Sequence, residues 1–256
     1  MKQLRVLIPL PNRDFDPTEA AVPYRILTAK NIDVRFATPQ GLPAHCDDRM
    51  RTGKGLGLLA PLLKANLEAQ TAYIEMTQSH TFLNPKKWSE LQAQDFDGII
   101  LPGGHAKGMR EYLESPILQK LVANFFEFNK PVGAICHGVV LAGRSRNLNG
   151  ESCLKGRKTT ALLAVQEFSA WALTFFWLDS YYRTYPVSVE AEVKSYLASP
   201  NDFLNGPLPL SRDSSQNLKP GYFVEDRNFI SARWPGDAHA FANAYYKLIA
   251  KSNETI

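Results

Sequence analysis

The stretch KPVGAICHGVVLAG, residues 130–143, constrains this chain more than any other. Residues 131–135 form a short apolar run opened by a proline, which reads as a fully buried strand. Residues 139–142 continue in small and aliphatic side chains that suit a helix packed closely on that strand. Only Cys136, His137 and Gly138 lie between, so no loop fits. A strand that becomes a helix across one residue needs a sharp, strained turn, which holds that residue's side chain out at the carboxyl edge of the sheet. A thiol placed there faces the first N–H groups and the positive end of the helix, which favour the thiolate. An unpaired cysteine is ordinarily a small buried hydrophobe. A cysteine followed by His-Gly at a strand-to-helix junction reads instead as a reactive one.

The rest of the chain supplies the sheet around that turn. Residues 4–10 are strand-like, and residues 12–16 a polar loop. Asp16, Pro17 and Glu19 look like the N-cap, first position and capping-box partner of a helix that runs to about residue 30, with Pro23 early in it. Residues 32–38 alternate as a second strand, so a βαβ unit and a parallel sheet are expected. Residues 39–57 read as a long loop, 58–76 as helical and 79–88 as irregular. Residues 97–101 form a buried strand ending in Pro102-Gly103-Gly104-His105, and 116–129 an amphipathic helix that leads into the elbow strand. Beyond the elbow, residues 158–163 could be a strand, 166–177 a helix and 200–220 a surface excursion. A hairpin around Asp226-Arg227 and a helix over 236–251 close the chain. This is one α/β domain over residues 1–256, with a cap built from the insertions at about 39–95 and 200–220.

Charge and cysteine usage narrow the partners. A net charge of +4 with no long basic run argues against nucleic acid. Three widely spaced cysteines make no disulfide framework. The amino-terminal segment shows no signal-peptide pattern, so a reducing cytoplasm is the expected setting. The most apolar window, 161–178, is interrupted by Gln166, Glu167, Ser169 and Thr174, and reads as core or interface rather than a membrane span. Trp171, Phe175, Phe176 and Trp177 within it are expected in the core; exposed, they would mark a subunit interface or a client-binding patch.

Three loops should converge at the carboxyl ends of the parallel strands. They bring Glu19, then Gly103 to His105, then Cys136 and His137. The diglycine lets the backbone approach a ligand closely, and its N–H groups with that of His137 would form an oxyanion hole. Glu19 is explained equally well as a capping-box residue or as an acid–base partner of the thiol. His137 can act as base if its ring folds back, and then needs a third group to fix its tautomer. Glu167, a carboxylate inside an apolar stretch, is the candidate for that role. His45, Cys46, Asp47 and Asp48 are metal-ligand types, but adjacent residues cannot all face one ion, so no metal or other cofactor is expected.

The segments FDGIILPGGH and KPVGAICHGVVLAG together resemble the ThiJ/PfpI superfamily, with its flavodoxin-like, class I glutamine-amidotransferase-like fold. TEAAVP at the amino end and YFVEDRNFISARWPGDAHAFANAYYKLI at the carboxyl end extend the resemblance. It implies a parallel sheet sandwiched by helices, Cys136 as nucleophile, Glu19 as the carboxyl partner of its thiol and His137 as base. It places oxyanion amides at Gly104 and His137, substrate contacts at Gly103 and His105, and the orienting acid of the larger chaperone/glyoxalase III branch at Glu167. Glutaminase activity is not implied, because the late His239 is followed by Ala and Phe. The aromatic segment FSAWALTFFWLDSYYRTYP departs from the family pattern. The expected function is conversion of a small 2-oxoaldehyde to a 2-hydroxy acid through a Cys136 adduct. A peptidase or amidase, a holding chaperone and a redox sensor are the alternatives. The resemblance also implies a homodimer.

Overall fold

Apolar runs separated by helical segments line up side by side, because each can bury both faces only between two layers of helix. The computed structural model describes residues 3–254. Strand β1 (Arg5–Pro9), a short β2 (Arg13–Phe15), helix α1 (Pro17–Ala29) and β3 (Asp33–Thr38) open the chain. The first insertion holds β4 (His45–Cys46), α2 (Asp48–Thr52), α3 (Ala60–Leu63), α4 (Leu67–Gln78), α5 (His80–Leu83) and β5 (Lys86–Lys87). Next come β6 (Gly98–Leu101), α6 (Arg110–Leu113), α7 (Pro116–Glu127), β7 (Val132–Ile135) and α8 (Gly138–Arg144). Helices α9 (Ala164–Leu178) and α10 (Val189–Tyr196) precede the hairpin of β8 (Phe223–Asp226) and β9 (Phe229–Ala232), and α11 (Ala238–Glu254) ends the fold.

The main sheet has seven strands in the order β5-β3-β1-β6-β7-β9-β8. Its pairs are parallel except the β8–β9 hairpin. Strands β6, β7 and β9 are buried along their whole length, as strands covered on both faces must be. Helix α1 packs against α4 and α11, and α8 against α7 and α10, so helices flank the sheet.

Several expectations are corrected. Residues 12–16 contain β2, which pairs in parallel with β4 inside the segment expected to be loop. Residues 158–163 form no strand: the N–H of Thr159 goes to Asp202 O and that of Thr160 to Ser231 Oγ, leaving an isolated bridge to Phe203. Helix α10 was not anticipated, because VEAEVKSY offers little apolar periodicity. Of the expected α9 aromatics, Trp171 is partly buried against Met50, Leu56 and Tyr182, but the others are not core: Phe176 is 92% exposed, and Phe175 and Trp177 are about half exposed. Among the described residues no helix is long and apolar enough to cross a membrane.

One buried ion pair shapes the ground above the sheet. Arg233, just beyond β9, donates from Nε to Asp237 Oδ2 and from Nη2 to Asp237 Oδ1, both at 2.9 Å, with neither side chain exposed. Its Nη1 also reaches the carbonyls of Asn205 and Pro207. Those extra bonds pin the 200–220 excursion to the end of β9, the edge at which Cys136 stands.

Candidate active site

Cys136 follows the last residue of β7 and has φ 56°, a left-handed conformation rare for a residue with a Cβ. Holding it there costs on the order of 1–3 kcal/mol, which the surrounding packing must over-determine. Part of that packing is Gly138: a Cβ on it would lie 2.0 Å from Leu101 O, so the first turn of α8 sits directly on the end of β6. Gly103 is wedged from the other side, where a Cβ would lie 2.6 Å from the His137 nitrogen. The elbow is thus clamped between two backbone contacts that only glycine permits.

Asp16 caps α1, its Oδ1 accepting from Thr18 N at 2.8 Å and Glu19 N at 3.1 Å. The reciprocal half of a capping box is missing. Asp16 N donates to Gly103 O at 2.9 Å, and Glu19 Oε2 accepts from Gly103 N at 2.7 Å. Glu19 therefore points at the elbow, not back along its helix. Both backbone groups of Gly103 are consumed by these bonds, so Gly103 positions Glu19 instead of contacting substrate, a correction to its expected role. Gly104 and His105 line the pocket beside Cys136.

Glu19 is fully buried, and its Oε1 accepts no hydrogen bond. Burial first, and the charge of Asp16 second, raise its carboxyl well above the ordinary range. A carboxyl so placed favours its protonated form, and the Cys136 thiol is its side-chain neighbour at the elbow. Burial first, then the Glu19 and Asp16 carboxyls, push the Cys136 thiol well above its ordinary value, although the His137 N–H aimed at the sulfur pulls the other way. Burial thus opposes the expected resting thiolate, and the helix whose N-terminus would favour it is only seven residues long. Alkylation of Cys136 by iodoacetamide is expected to stay slow at neutral pH and to climb only above the ordinary thiol value of 9.0. A rate plateau already reached at pH 7 would contradict it.

His137 has folded back, with Nδ1 3.4 Å from Cys136 Sγ and Nε2 3.0 Å from Thr184 Oγ1. The Thr184 hydroxyl donates its one proton to His105 O at 2.6 Å. It can therefore only accept from the imidazole, which fixes the proton on Nε2 and leaves Nδ1 as a bare acceptor facing the sulfur. Arg110 holds Thr184 in turn, donating from Nε to its carbonyl at 3.0 Å. Burial, the largest cause, lowers His137 to about 3. It is neutral at rest and takes up a proton only as negative charge develops on a substrate.

Glu167 does not complete this arrangement. Its Oε2 accepts from Val189 N at 3.0 Å and its Oε1 lies 3.6 Å from Arg183 Nε, tying α9 to the start of α10. A buried carboxylate needed a partner, and the partner is Arg183, not His137. Thr184 has the orienting role that sequence assigned to Glu167. Replacing Thr184 by valine is expected to lower kcat by about 10²-fold, the scale of a general base's contribution. Glu167→Gln should leave kcat close to that of the wild type. Steady-state kinetics of the two variants checks both.

The metal-ligand types at 45–48 are spent on structure: Asp47 caps α2 and accepts the Tyr181 hydroxyl. Cys46 is a buried thiol pushed up to about 12 by that burial.

The pocket over Cys136 has a volume of about 250 Å³. Both insertions contribute to its walls, Leu62 and Leu63 from the first, Leu210 and Arg212 from the second. Tyr182 stacks on His105 with ring centroids 4.4 Å apart and closes another side. Thr184, Tyr182 and Arg212 escaped the reading of the sequence, since all lie in irregular segments far from the elbow motif. For Thr184 and Tyr182 the one signal was the departure of the 168–186 segment from the family pattern; Arg212, in the 200–220 excursion, carried none.

A protein-family model described as ThiJ/PfpI family-like matches residues 10–207. Among curated proteins, the chain is 28% identical to an uncharacterized Schizosaccharomyces pombe protein over 126 residues, 48% of this chain and 46% of that one. It thus spans about half the length of that relative. It is 24% identical to a Thermococcus kodakarensis deglycase over 202 residues, 76% of this chain and 92% of that one. Among solved structures, glyoxalase III from Candida albicans superposes with a TM-score of 0.67 at 18% identity, covering 96% of this chain and 97% of that one.

Proposed function

The chain belongs to the ThiJ/PfpI family, and on that premise we propose that it is a cysteine-dependent enzyme acting on reactive carbonyl compounds, converting a 2-oxoaldehyde to a 2-hydroxy acid. The observation that carries this reading is the bare imidazole nitrogen 3.4 Å from the Cys136 sulfur, with the buried Glu19 carboxyl in the same site and pushed toward its protonated form by burial. In this reading Sγ adds to the aldehyde carbon as the thiol proton passes to His137 Nδ1, giving a hemithioacetal whose alkoxide is neutralised by that proton. His137 then removes the hydrogen from the same carbon while Glu19 gives its proton to the neighbouring carbonyl oxygen, forming an enediol. Return of the His137 proton to the second carbon, while the hydroxyl on the first carbon gives its proton back to Glu19, leaves a thioester, and water releases the 2-hydroxy acid and the thiol. The net change adds one water and needs no external oxidant or reductant.

The two buried groups suit this sequence because each starts neutral. Charge separation between sulfur and imidazole is unfavourable in the empty pocket and becomes accessible only when a carbonyl oxygen takes the developing charge. The amides of Gly104 and His137 are the proposed stabilisers of that oxygen. The glyoxalase III and deglycase names of the compared proteins support chemistry of this type, and hydrolysis of a carbonyl adduct on an amine or thiol is the second reading. Lactate formation from methylglyoxal by the purified protein, beside Cys136→Ala, tests the first; equal lactate from both would end it.

A further inference from the structure

The pocket is larger and less neutral than a three-carbon oxoaldehyde requires. Such a molecule has five non-hydrogen atoms and displaces on the order of 100 Å³, three to four waters at about 30 Å³ each. The cavity offers about 250 Å³. The unused part is walled by Leu62, Leu63, Leu162, Leu173 and Leu210. Three of these stand open at its rim: Leu62 is 61% exposed, Leu173 53% and Leu210 86%.

Arg212 is the permanent cation among the lining residues. Its Nη2 donates to the carbonyls of Leu62 at 3.2 Å and Leu63 at 3.3 Å, and its guanidinium lies over the Trp234 ring. Among the described residues no carboxylate oxygen comes within the 4.0 Å of an ion pair with it. Asp16 and Glu19 act on Arg212 through charge alone, without contact, and the hydrogen bonds of the lining carboxyls go elsewhere: Asp16 caps α1, Glu167 faces Arg183, and Glu19 accepts from Gly103. A half-desolvated guanidinium with free donors is an unfilled half of a charge-assisted pair. Two further donors on lining residues, the Trp234 Nε1–H and the Tyr182 hydroxyl, are buried without a hydrogen-bond partner. Donors in this state call for an acceptor-rich ligand.

We propose that the site takes an amphiphilic carbonyl compound, one bearing a single carboxylate that pairs with Arg212 and an apolar chain or ring of several carbons that lies against the leucine walls. This rests on the reading of Cys136 as the nucleophile for the identity of the reacting carbon, but the recognition itself is independent of turnover.

Titration calorimetry of the wild-type protein with acetate, butyrate, octanoate and 1-octanol tests it, because none of these reacts with a thiol. Each methylene that enters the apolar part should tighten binding by about fourfold, so octanoate should bind at least about 30-fold more tightly than acetate. Arg212→Met should weaken octanoate by about tenfold or more and leave octanol within about twofold. Leu210→Asp, a change at an exposed site, should weaken both. Should Arg212→Met fail to fold, Arg212→Lys should still separate octanoate from octanol. Equal affinity for acetate and octanoate, or an unchanged octanoate affinity in the Arg212 variants, overturns the inference. Octanoate binding without lactate formation from methylglyoxal would leave it standing and remove the catalytic reading. Lactate formation without octanoate binding would do the reverse.

Discussion

Cys136→Ala is expected to lower kcat/KM toward methylglyoxal by about 10⁴-fold or more, with lactate falling to the level of the uncatalysed reaction. The size follows from where the sulfur stands. Cys46 and Cys153 cannot substitute for it, because neither lines the pocket and neither has the histidine nitrogen that Cys136 has at 3.4 Å. His137 Nδ1 and Glu19 would be left with no nucleophile to serve. The fold should persist: alanine removes only the sulfur of a small buried side chain, a change of about 1 kcal/mol and 2–4 °C in Tm for a chain of this length. Loss of turnover with an intact melting transition separates chemistry from folding. Lactate formation by the variant within tenfold of the wild type would contradict the prediction.

The second large effect is structural. Gly138→Ala should destabilise the protein by about 3 kcal/mol or more, lowering Tm by about 6–12 °C, because the new Cβ meets backbone that cannot step aside. The atom it strikes is Leu101 O, at 2.0 Å, with Leu101 C at 2.7 Å behind it. Relief requires α8 to lift from β6. That movement would carry the His137 amide and ring away from the sulfur, so activity should fall even in the fraction that folds. Gly150→Ala is the matching control: a Cβ there meets nothing within 4 Å, although its φ of 76° still disfavours alanine. Thermal unfolding of the two variants side by side decides whether close approach or backbone angle dominates, and the clash at Gly138 is expected to cost clearly more. Equal Tm losses would contradict this account of the elbow.

The elbow was legible because its constraints are local. A proline-bounded apolar run, one residue of turn and a glycine that admits the neighbouring strand all sit within a few positions. The parallel strands were legible for the same reason, each being a short apolar run. Glu19 was only half legible: position three of a helix beginning with Asp16 fits a capping box, and what decided otherwise is the N–H of Gly103, 84 residues away. Thr184 was not legible at all. It contacts His137 across 47 residues from a segment without regular structure, and a threonine carries no mark of being an orienting group until its proton is traced to His105 O. Glu167 drew attention correctly as a buried carboxylate, but the sequence cannot tell which cation it meets. The apolarity of α9 misled in the other direction. Read as core, it leaves Phe176 in solvent, because Glu167 and Thr174 mark the face that the helix buries.

The central claim is that the Cys136 sulfur bonds covalently to a carbonyl carbon during turnover. Rapid-quench mass spectrometry after mixing the protein with methylglyoxal tests it most directly, with cysteine-containing peptides resolved from one another. The expected result is a single substrate-mass adduct on the peptide carrying Cys136, rising before the 2-hydroxy acid and decaying as it accumulates, with none on the peptides of Cys46 or Cys153. Product formation with Cys136 unmodified at every time point would contradict the account.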